Sequence, residues 1–253
     1  MTEPATQTNA LGGVSRRVPA ARLGVAVVKD LVTAIVTGQV EPGEILPPEA
    51  VLSETFGVSR TVLRESVKRV EEKGMLTVAQ GRGTRVNPPS SWNVLDPVVL
   101  AALLENDDTL GVLDELAIVR GALEGSMSAA AAERRTPDRS AELAQAFARM
   151  AETVSDIEAF AEADAAFHYV VMEQSENRLA ANITRILFTR ALETNRFVGA
   201  ARLDSLSVTL DEHRAVFEAI ERGDADGADR AMRDHIERAW RRRRLPSRRD
   251  DAS

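Results

Sequence analysis

The chain has 253 residues, of which 44% are hydrophobic and only 4% aromatic, and its net charge is −7. That length suits one large or two modest domains, with cores built mostly from Ala, Leu, Val and Ile. The absence of cysteine excludes a disulfide framework and any thiolate nucleophile or metal ligand. No apolar run reaches the ~18 residues of a membrane span and the N-terminus lacks the apolar core of a signal peptide, so we expect a cytoplasmic protein with no membrane partner.

Basic charge is concentrated in one part of this acidic chain. Residues 59–86 contain seven Arg or Lys and three Glu, a local charge of +4, so the remainder of the chain carries −11. A basic segment on an acidic protein is typical of a DNA-binding domain joined to a domain with a different task.

The N-terminal region predicts an arm and then a helix. Residues 1–19 are rich in Thr, Ala, Gly and Pro and lack periodicity, which predicts a disordered arm. A helix is predicted from Arg22 to a C-cap at Gly38, because apolar residues recur there at helical spacing. The apolar stripe consists of Val25, Val28, Leu31, Val32, Ile35 and Val36.

The stretch from Pro47 to Lys73 has the pattern of a helix-turn-helix. A short helix is followed by a tight turn at Gly57 and by a longer helix that Ser59 caps. Gly74 ends that helix, and the sequences MLTVAQ and GRGTRVN then predict the two strands of a β-hairpin. The glycines of this hairpin match neither a P-loop nor a dinucleotide fingerprint, so we interpret it as a wing and not as a phosphate cradle.

The residues ILPPEAVLSETFGVSRTVLRESVKRVEEKGMLTVAQGRGTRV resemble the winged-helix DNA-binding domain of the GntR family of bacterial transcription regulators. The resemblance covers Arg22 to Val86 and implies a DNA-binding domain over residues 20–87. One position departs from the family pattern. Ala50 stands where members of the family usually carry a charged residue, often Arg, that reaches DNA. One expected DNA contact is therefore missing or made elsewhere.

Short polar and basic side chains cluster at the start of the predicted recognition helix. Arg60 and Arg64 can pair with guanine edges in the major groove, each contact being worth ~1–3 kcal/mol of discrimination. Ser59 and Thr61 are short enough to bond phosphates, and we expect the wing to reach the neighbouring minor groove. It consists of Ser59, Arg60, Thr61 and Arg64 on the helix and Gln80, Gly81, Arg82, Gly83 and Thr84 on the wing. Since one such module reads only a few base pairs, we expect a homodimer on double-stranded DNA with a palindromic operator.

The remainder of the chain predicts a second, all-helical domain. Residues 88–95 begin with Pro-Pro-Ser-Ser and predict a linker. Residues 96–243 show helical patterns only, with repeated helix starts at Thr, Asp and Asn, among them Asp96, Thr136 and Asp156. We interpret residues 244–253 as a solvated basic tail. The predicted fold class is mainly α: an N-terminal winged helix-turn-helix with a small β-hairpin wing, then an antiparallel all-helical bundle of about seven helices.

All three histidines of the chain fall in this predicted bundle. Asp164 and His168 are four residues apart and so share one helix face, while His213 and His235 lie on the last two helices. Imidazole and carboxylate ligands together suit zinc, nickel, manganese or iron. Taken singly, a helical histidine usually binds no metal, so the spacing alone leaves a metal site and an ordinary structural role open.

The segments ADAAFHYVVMEQSEN and DEHRAVFEAIERGDADGADRAMRDHI resemble the FCD ligand-binding domain of the FadR subfamily. This resemblance implies that Asp164, His168, His213 and His235 bind one divalent metal, zinc in the first place, with nickel or manganese as alternatives. A metal that takes five or six ligands would keep coordination positions open for a small carboxylate.

The same resemblance implies an organic acid as the effector. Arg120 matches a position at which the family often has an Arg that faces the cavity and can clamp a carboxylate, although an Arg on the helix surface is an equal alternative. Arg190 and Asn195 are further candidates for the cavity lining. The sequence WNVLDPVVL is similar to regulators of sugar-acid catabolism, so by analogy we expect an aldonate.

The predicted function is that of a dimeric bacterial repressor of a catabolic operon, controlled by a small acid bound at a metal centre. The alternative is a metal-dependent hydrolase or isomerase with a winged-helix appendage, in which Glu124 or Glu162 would serve as the general base. A third interpretation, a protein-interaction module with a purely structural winged helix, is disfavoured by the local charge of +4.

Overall fold

The computed structural model describes residues 20–107, 111–193 and 203–243. The predicted arm, residues 1–19, and the predicted basic tail, residues 244–253, lie outside the described residues. The chain separates into two units, Met1–Trp92 and Asn93–Ser253, and each is described on its own.

The N-terminal unit is a winged helix-turn-helix. Its elements are α1 Ala20–Val36, α2 Glu49–Thr55, α3 Arg60–Glu72, β1 Leu76–Ala79 and β2 Gly83–Val86. The strands are antiparallel, with Leu76 opposite Val86 and Ala79 opposite Gly83. An isolated bridge from Ile45 to Arg85 adds the segment before α2 to the edge of this small sheet. The predicted helix order and wing are confirmed.

Local sequence explains the tight turn between α2 and α3. Gly57 has φ +63°, a conformation that glycine adopts without the steric cost that a Cβ brings. Two residues later the Ser59 side chain accepts a hydrogen bond from the Val62 N–H at 3.3 Å and so caps α3. These two residues set the direction in which the recognition helix starts.

The core of this unit lies between α1 and α3, where Val28, Val32, Leu63 and Val70 are buried. The predicted stripe of α1 was wrong at one position, because Val25 is 60% exposed. At 100° per residue, Val25 lies roughly 90° around the helix from the centre of the buried face, which extends instead to Val27 on its other side.

A close backbone contact and two hydrogen bonds form a corner of the unit, in which the end of α3 meets the residues after the wing. Gly74 has φ +74°, and the Ser91 carbonyl oxygen occupies the place where a side chain of residue 74 would begin. The Asn87 Nδ2 donates to the Gly74 carbonyl at 2.9 Å, and the Trp92 Nε1 donates to the Asn87 carbonyl at 3.0 Å. Part of the predicted linker is therefore folded into the N-terminal unit.

The C-terminal unit contains seven helices within the described residues. They are α4 Pro97–Glu105, α5 Gly111–Glu133, α6 Pro137–Glu152, α7 Ile157–Gln174, α8 Arg178–Glu193, α9 Leu203–Arg222 and α10 Ala225–Arg243. The predicted starts at Asp96, Thr136 and Asp156 are confirmed, because each side chain accepts hydrogen bonds from backbone N–H groups of the following turn. The mainly helical fold class is thereby confirmed.

The long helix α5 lies at the centre of this unit and packs against α7, α8, α9 and α10. The main core is built from apolar side chains of α5, α6, α7, α9 and α10, including Met150, Phe167, Val216 and Met232. No helix among the described residues is long and apolar enough to cross a bilayer. The central helix and its neighbours bring together the polar residues described next.

Candidate metal centre and DNA-reading surface

Four potential metal ligands from three helices meet inside the C-terminal unit. Asp164 and His168 lie one turn apart on α7, His213 lies on α9 and His235 on α10. One ligand atom from each of the four lies within 4.8 Å of the others, and all four residues are buried. The structure therefore brings together the complete set that the sequence predicts.

Each imidazole ring has its outer nitrogen, Nδ1, close to a carbonyl or carboxylate oxygen. His213 Nδ1 is 2.8 Å from the Thr209 carbonyl oxygen, which can only accept, so this nitrogen carries the hydrogen. His235 Nδ1 is 3.1 Å from Glu212 Oε2, and His168 Nδ1 is 2.5 Å from Glu124 Oε2. The Nε2 atoms of His168 and His213 face each other at 3.2 Å. Two inward lone pairs at this distance repel unless a cation or a proton lies between them, so the set fits a divalent metal.

Electrostatics favour the neutral, metal-binding form of two of these rings. Burial lowers the pKa of His213 well below its usual value, and the neighbouring His235 ring lowers it further. Burial also lowers the pKa of His235, although the hydrogen bond to Glu212 opposes the change. The Asp164 carboxylate, with Oδ1 3.3 Å from His213 Nε2, supplies the one negative ligand. This ligand set of three nitrogens and one oxygen suits zinc, nickel or manganese.

Glu124 and Arg120 form a buried pair on α5 directly behind His168. Arg120 Nε donates to Glu124 Oε1 at 2.7 Å, and the two side chains are 8% and 1% exposed. Burial by itself would raise the pKa of Glu124, but the Arg120 charge and His168 hold that pKa well below its usual range. The Arg120 Cζ lies 4.1 Å above the Phe188 ring, while its two terminal nitrogens make no hydrogen bond with a described residue.

A small cavity of about 20 Å³ joins Arg120 to the four-residue cluster. It is lined by Leu116, Ala117, Arg120, Asp164, His168, Phe188, His235, Ile236, Ala239 and Trp240. The alternative of a surface position for Arg120 is therefore wrong. The side chain of Arg190 and the whole of Asn195 lie outside the described residues, so their predicted roles stay predictions.

The partners of the histidines were not among the predicted ligands. Glu212 accepts two hydrogen bonds from Arg242, at 2.6 and 2.7 Å, besides its contact with His235. Glu124, predicted only as a general base, has its two oxygens against Arg120 and His168. Glu162, the other predicted base, is exposed, whereas Asp164 and His168 on the same helix are buried. Only the Arg120–Glu124 spacing of four residues offered a sequence signal for any of these contacts.

The predicted DNA-reading residues form an exposed surface on the N-terminal unit. Ser59, Arg60, Thr61 and Arg64 are exposed on α3, and the wing tip from Gln80 to Gly83 is exposed as well. Thr84 is half-buried, and its carbonyl accepts from the Leu46 N–H at 2.8 Å. A groove of about 450 Å³ between α3 and the wing is lined by Arg64, Lys68, Gly81 and Thr84, among others.

Arg64 has a partner that the sequence pattern did not identify. Its Nε donates to both oxygens of Glu49, at 3.0 and 2.9 Å, across the helix-turn-helix. Both side chains are exposed, by 68% for Arg64 and 49% for Glu49. Without DNA, this guanidinium is therefore paired within the protein but remains accessible from solvent.

Comparison with known proteins agrees with this two-part organisation. Residues 23–86 match the bacterial regulatory proteins of the gntR family, and residues 115–238 match the FCD domain. The galactonate operon transcriptional repressor of Escherichia coli K12 is 33% identical over 210 residues, which is 82% of this chain and 91% of the relative. The uncharacterized HTH-type regulator YieP of the same organism is 34% identical over 83% of this chain and 90% of its own.

Among solved structures, Lar, which controls the expression of the Listeria monocytogenes agr system, superposes with a TM-score of 0.55. The match covers 89% of this chain and 97% of Lar at 17% identity, so it shows the fold alone. The two domain matches and the full-length relatives show more than the fold. This chain belongs to the GntR family of bacterial regulatory proteins and is a transcription regulator with an FCD domain, not an enzyme.

Proposed function

We propose that this regulator is a homodimeric repressor of a catabolic operon, released from a palindromic operator by a small organic acid that binds at a divalent metal. The observation that carries the proposal is a buried cluster of three histidines and one aspartate, which a small cavity lined by Asp164, His168 and His235 joins to Arg120. A buried set of this composition is costly for the fold, because polar groups lose their hydration without gaining equivalent partners. That cost favours a ligand-binding role over a structural one.

Asp164, His168, His213 and His235 would hold the metal, zinc in the first place. When bound, the metal would supply positive charge and open coordination positions for an anionic ligand. The protein's own contribution would be to orient the rings, since each Nδ1 lies close to a carbonyl or carboxylate oxygen behind it. Such outer contacts set the tautomer and orientation of a histidine ligand.

Arg120 would bind the carboxylate of the effector. Its Nε is occupied by Glu124, which leaves the two terminal nitrogens for two parallel hydrogen bonds to a carboxylate. The name of the relative from Escherichia coli refers to a galactonate operon, which supports a sugar acid as the first effector to test. A cavity of about 20 Å³ holds roughly one water molecule, so an aldonate requires its lining side chains to move apart.

That requirement offers a physical route to regulation. An effector shifts the DNA-binding equilibrium only if it binds the state with low operator affinity more tightly than the state with high affinity. A widened cavity is present in one of these states and not in the other. The acid would therefore stabilise the widened state and release the operator.

The DNA-reading surface gives the experiment that tests this function. We expect Arg60→Ala to weaken binding of a selected operator by ~1–3 kcal/mol, roughly 5-fold to 150-fold, with unchanged zinc content and helical signal. Fluorescence anisotropy with the selected operator and a scrambled duplex measures this loss, and added D-galactonate should release the wild-type protein. Unchanged operator affinity in Arg60→Ala contradicts the assigned DNA surface, whereas absence of zinc in the purified protein contradicts only the metal site.

A further inference from the structure

The buried carboxylate of Glu124 lies between two groups that belong to different parts of the proposed site. On one side its Oε1 accepts from Arg120 Nε at 2.7 Å. On the other side its Oε2 lies 2.5 Å from Nδ1 of His168, and the residue is 1% exposed. Glu124 is not one of the four residues whose ligand atoms converge.

The Glu124 carboxylate and the His168 ring meet through two buried polar atoms. Glu124 Oε2 and His168 Nδ1 make no well-aligned hydrogen bond to any described residue, and both atoms are shielded from solvent. A buried ring nitrogen that faces a carboxylate oxygen is satisfied when it carries the hydrogen, because an ionised carboxylate can only accept. The hydrogen then resides on Nδ1, and the lone pair of Nε2 points toward His213 and the centre of the cluster.

The same carboxylate also fixes the orientation of Arg120. Since its Nε–H is bound by Glu124 and its plane lies over Phe188, the guanidinium can present only its terminal nitrogens to the cavity. One side chain therefore sets both the tautomer of a metal ligand and the orientation of the carboxylate clamp. We infer that Glu124 is the positioning residue of this site, and that its two carboxylate oxygens keep His168 ready for metal and Arg120 ready for the effector.

This inference rests on the proposed metal and effector site but makes a separate claim about Glu124. An amide at this position cannot replace the carboxylate. Glutamine accepts through one atom and donates through the other, whereas Arg120 Nε and His168 Nδ1 both need an acceptor. Because arginine always donates, the amide oxygen in Glu124→Gln should face Arg120 and its NH₂ should face His168. That arrangement moves the ring hydrogen to Nε2, where it blocks metal binding.

The test uses the full-length protein and two readouts. Competition of Zn²⁺ against a chromogenic chelator should show a 10-fold to 100-fold loss of affinity in Glu124→Gln, the usual size for such outer contacts. In metal-free protein labelled with ¹⁵N-histidine, long-range ¹H–¹⁵N spectra should show His168 with its hydrogen on Nδ1 in the wild type and on Nε2 in Glu124→Gln. A purely structural role of Glu124 would leave this tautomer signature unchanged.

Two further variants keep the test decisive. Ser128→Ala removes a buried hydroxyl one turn further along α5, which donates to the Glu124 backbone carbonyl at 2.9 Å, and should leave both readouts unchanged. Arg120→Met combined with Glu124→Gln removes both buried charges at once, so it avoids an unpaired charge if the single variant folds poorly. In this double variant Arg120 no longer orients the amide, so the amide oxygen can turn to His168 Nδ1, and zinc affinity and the Nδ1–H signature should both recover. A double variant that binds zinc as weakly as Glu124→Gln would contradict the positioning role.

The outcomes separate the two proposals. Wild-type zinc affinity and an Nδ1–H signature in Glu124→Gln, or an equal loss of affinity in Ser128→Ala, would overturn the role of Glu124. A wild-type protein that binds no Zn²⁺ overturns the metal site instead, and the tautomer spectra then still decide whether Glu124 controls His168.

Discussion

One Arg–Glu pair from each unit can be compared directly, because the two pairs have similar atomic distances and very different surroundings. In the N-terminal unit, Arg64 and Glu49 meet at 2.9 Å with side chains 68% and 49% exposed. In the C-terminal unit, Arg120 and Glu124 meet at 2.7 Å with side chains 8% and 1% exposed. Water competes for the first pair and is excluded from the second. An exposed arginine can change its partner at little cost, as the proposed DNA contact requires, whereas the buried arginine is fixed in place and can only gain a ligand.

The largest expected effect comes from breaking the buried pair. Arg120→Ala leaves the Glu124 carboxylate without its cation in a dry environment, and we expect a loss of about 3–5 kcal/mol in the stability of the C-terminal unit. Urea unfolding followed by circular dichroism measures the change. The charge-free variant Arg120→Met with Glu124→Gln should recover most of the loss, and failure to do so would show that packing and not charge is the cause.

Removal of the proposed metal should lower the stability of the C-terminal unit only. At a free zinc concentration of about 100 times the dissociation constant, binding contributes ~2.7 kcal/mol of stability, which chelation abolishes. Calorimetry with and without EDTA should therefore lower the melting transition of the C-terminal unit and leave that of the winged helix unchanged. In His168→Ala, EDTA should have no effect on either transition.

In the N-terminal unit we expect the larger loss of stability from a backbone position, Gly74, and not from the charged pair. Gly74→Ala must accommodate φ +74° and also displace the Ser91 carbonyl oxygen. Gly38→Ala is the matched control, since its φ is +71° but nothing lies within 4 Å of an added Cβ. We expect the control to lose roughly 1–2 kcal/mol from the left-handed conformation and Gly74→Ala to lose more. Equal unfolding midpoints of Gly74→Ala and Gly38→Ala would show that the backbone at Ser91 moves aside without a cost in stability.

The smallest effect belongs to the exposed pair. Glu49→Ala should change stability by less than about 1 kcal/mol, because solvent screens both partners. Thermal melts at low and high salt measure this change beside that of Arg120→Ala. A loss of stability in Glu49→Ala as large as that in Arg120→Ala would contradict the distinction between an exposed and a buried pair.

The helices and the wing follow from local signals that the sequence contains. Ser59, Asp96 and Thr136 cap the helices that they were predicted to start, and Gly57 makes the predicted turn. These features depend on residues one to four positions apart, which a sequence displays directly. The stripe of α1 was wrong at Val25 because the buried face extends to Val27 on the other side of the helix, and periodicity alone does not show where the edge of an apolar face lies.

The sequence does not predict the partners of the site residues. Glu124 and His168 are 44 positions apart and Glu212 and His235 are 23 apart, so only the packing of α5 on α7 and of α9 on α10 brings them together. The four proposed ligands were found because a family resemblance supplied the long-range information that periodicity lacks. Glu49 and Arg64, 15 positions apart, were missed for the same reason as Glu124.

The folded corner at Gly74 and Trp92 bears on operator geometry. With Trp92 bonded back to Asn87, only residues 93–96 remain between the reading unit and the start of α4 at Pro97. Four residues span at most ~14 Å, even when fully extended. A connection of this length does not let the N-terminal unit reach half-sites that lie far apart on the DNA. In the proposed homodimer, the separation of the operator half-sites would therefore depend on how the C-terminal units pair, with little tolerance for inserted base pairs.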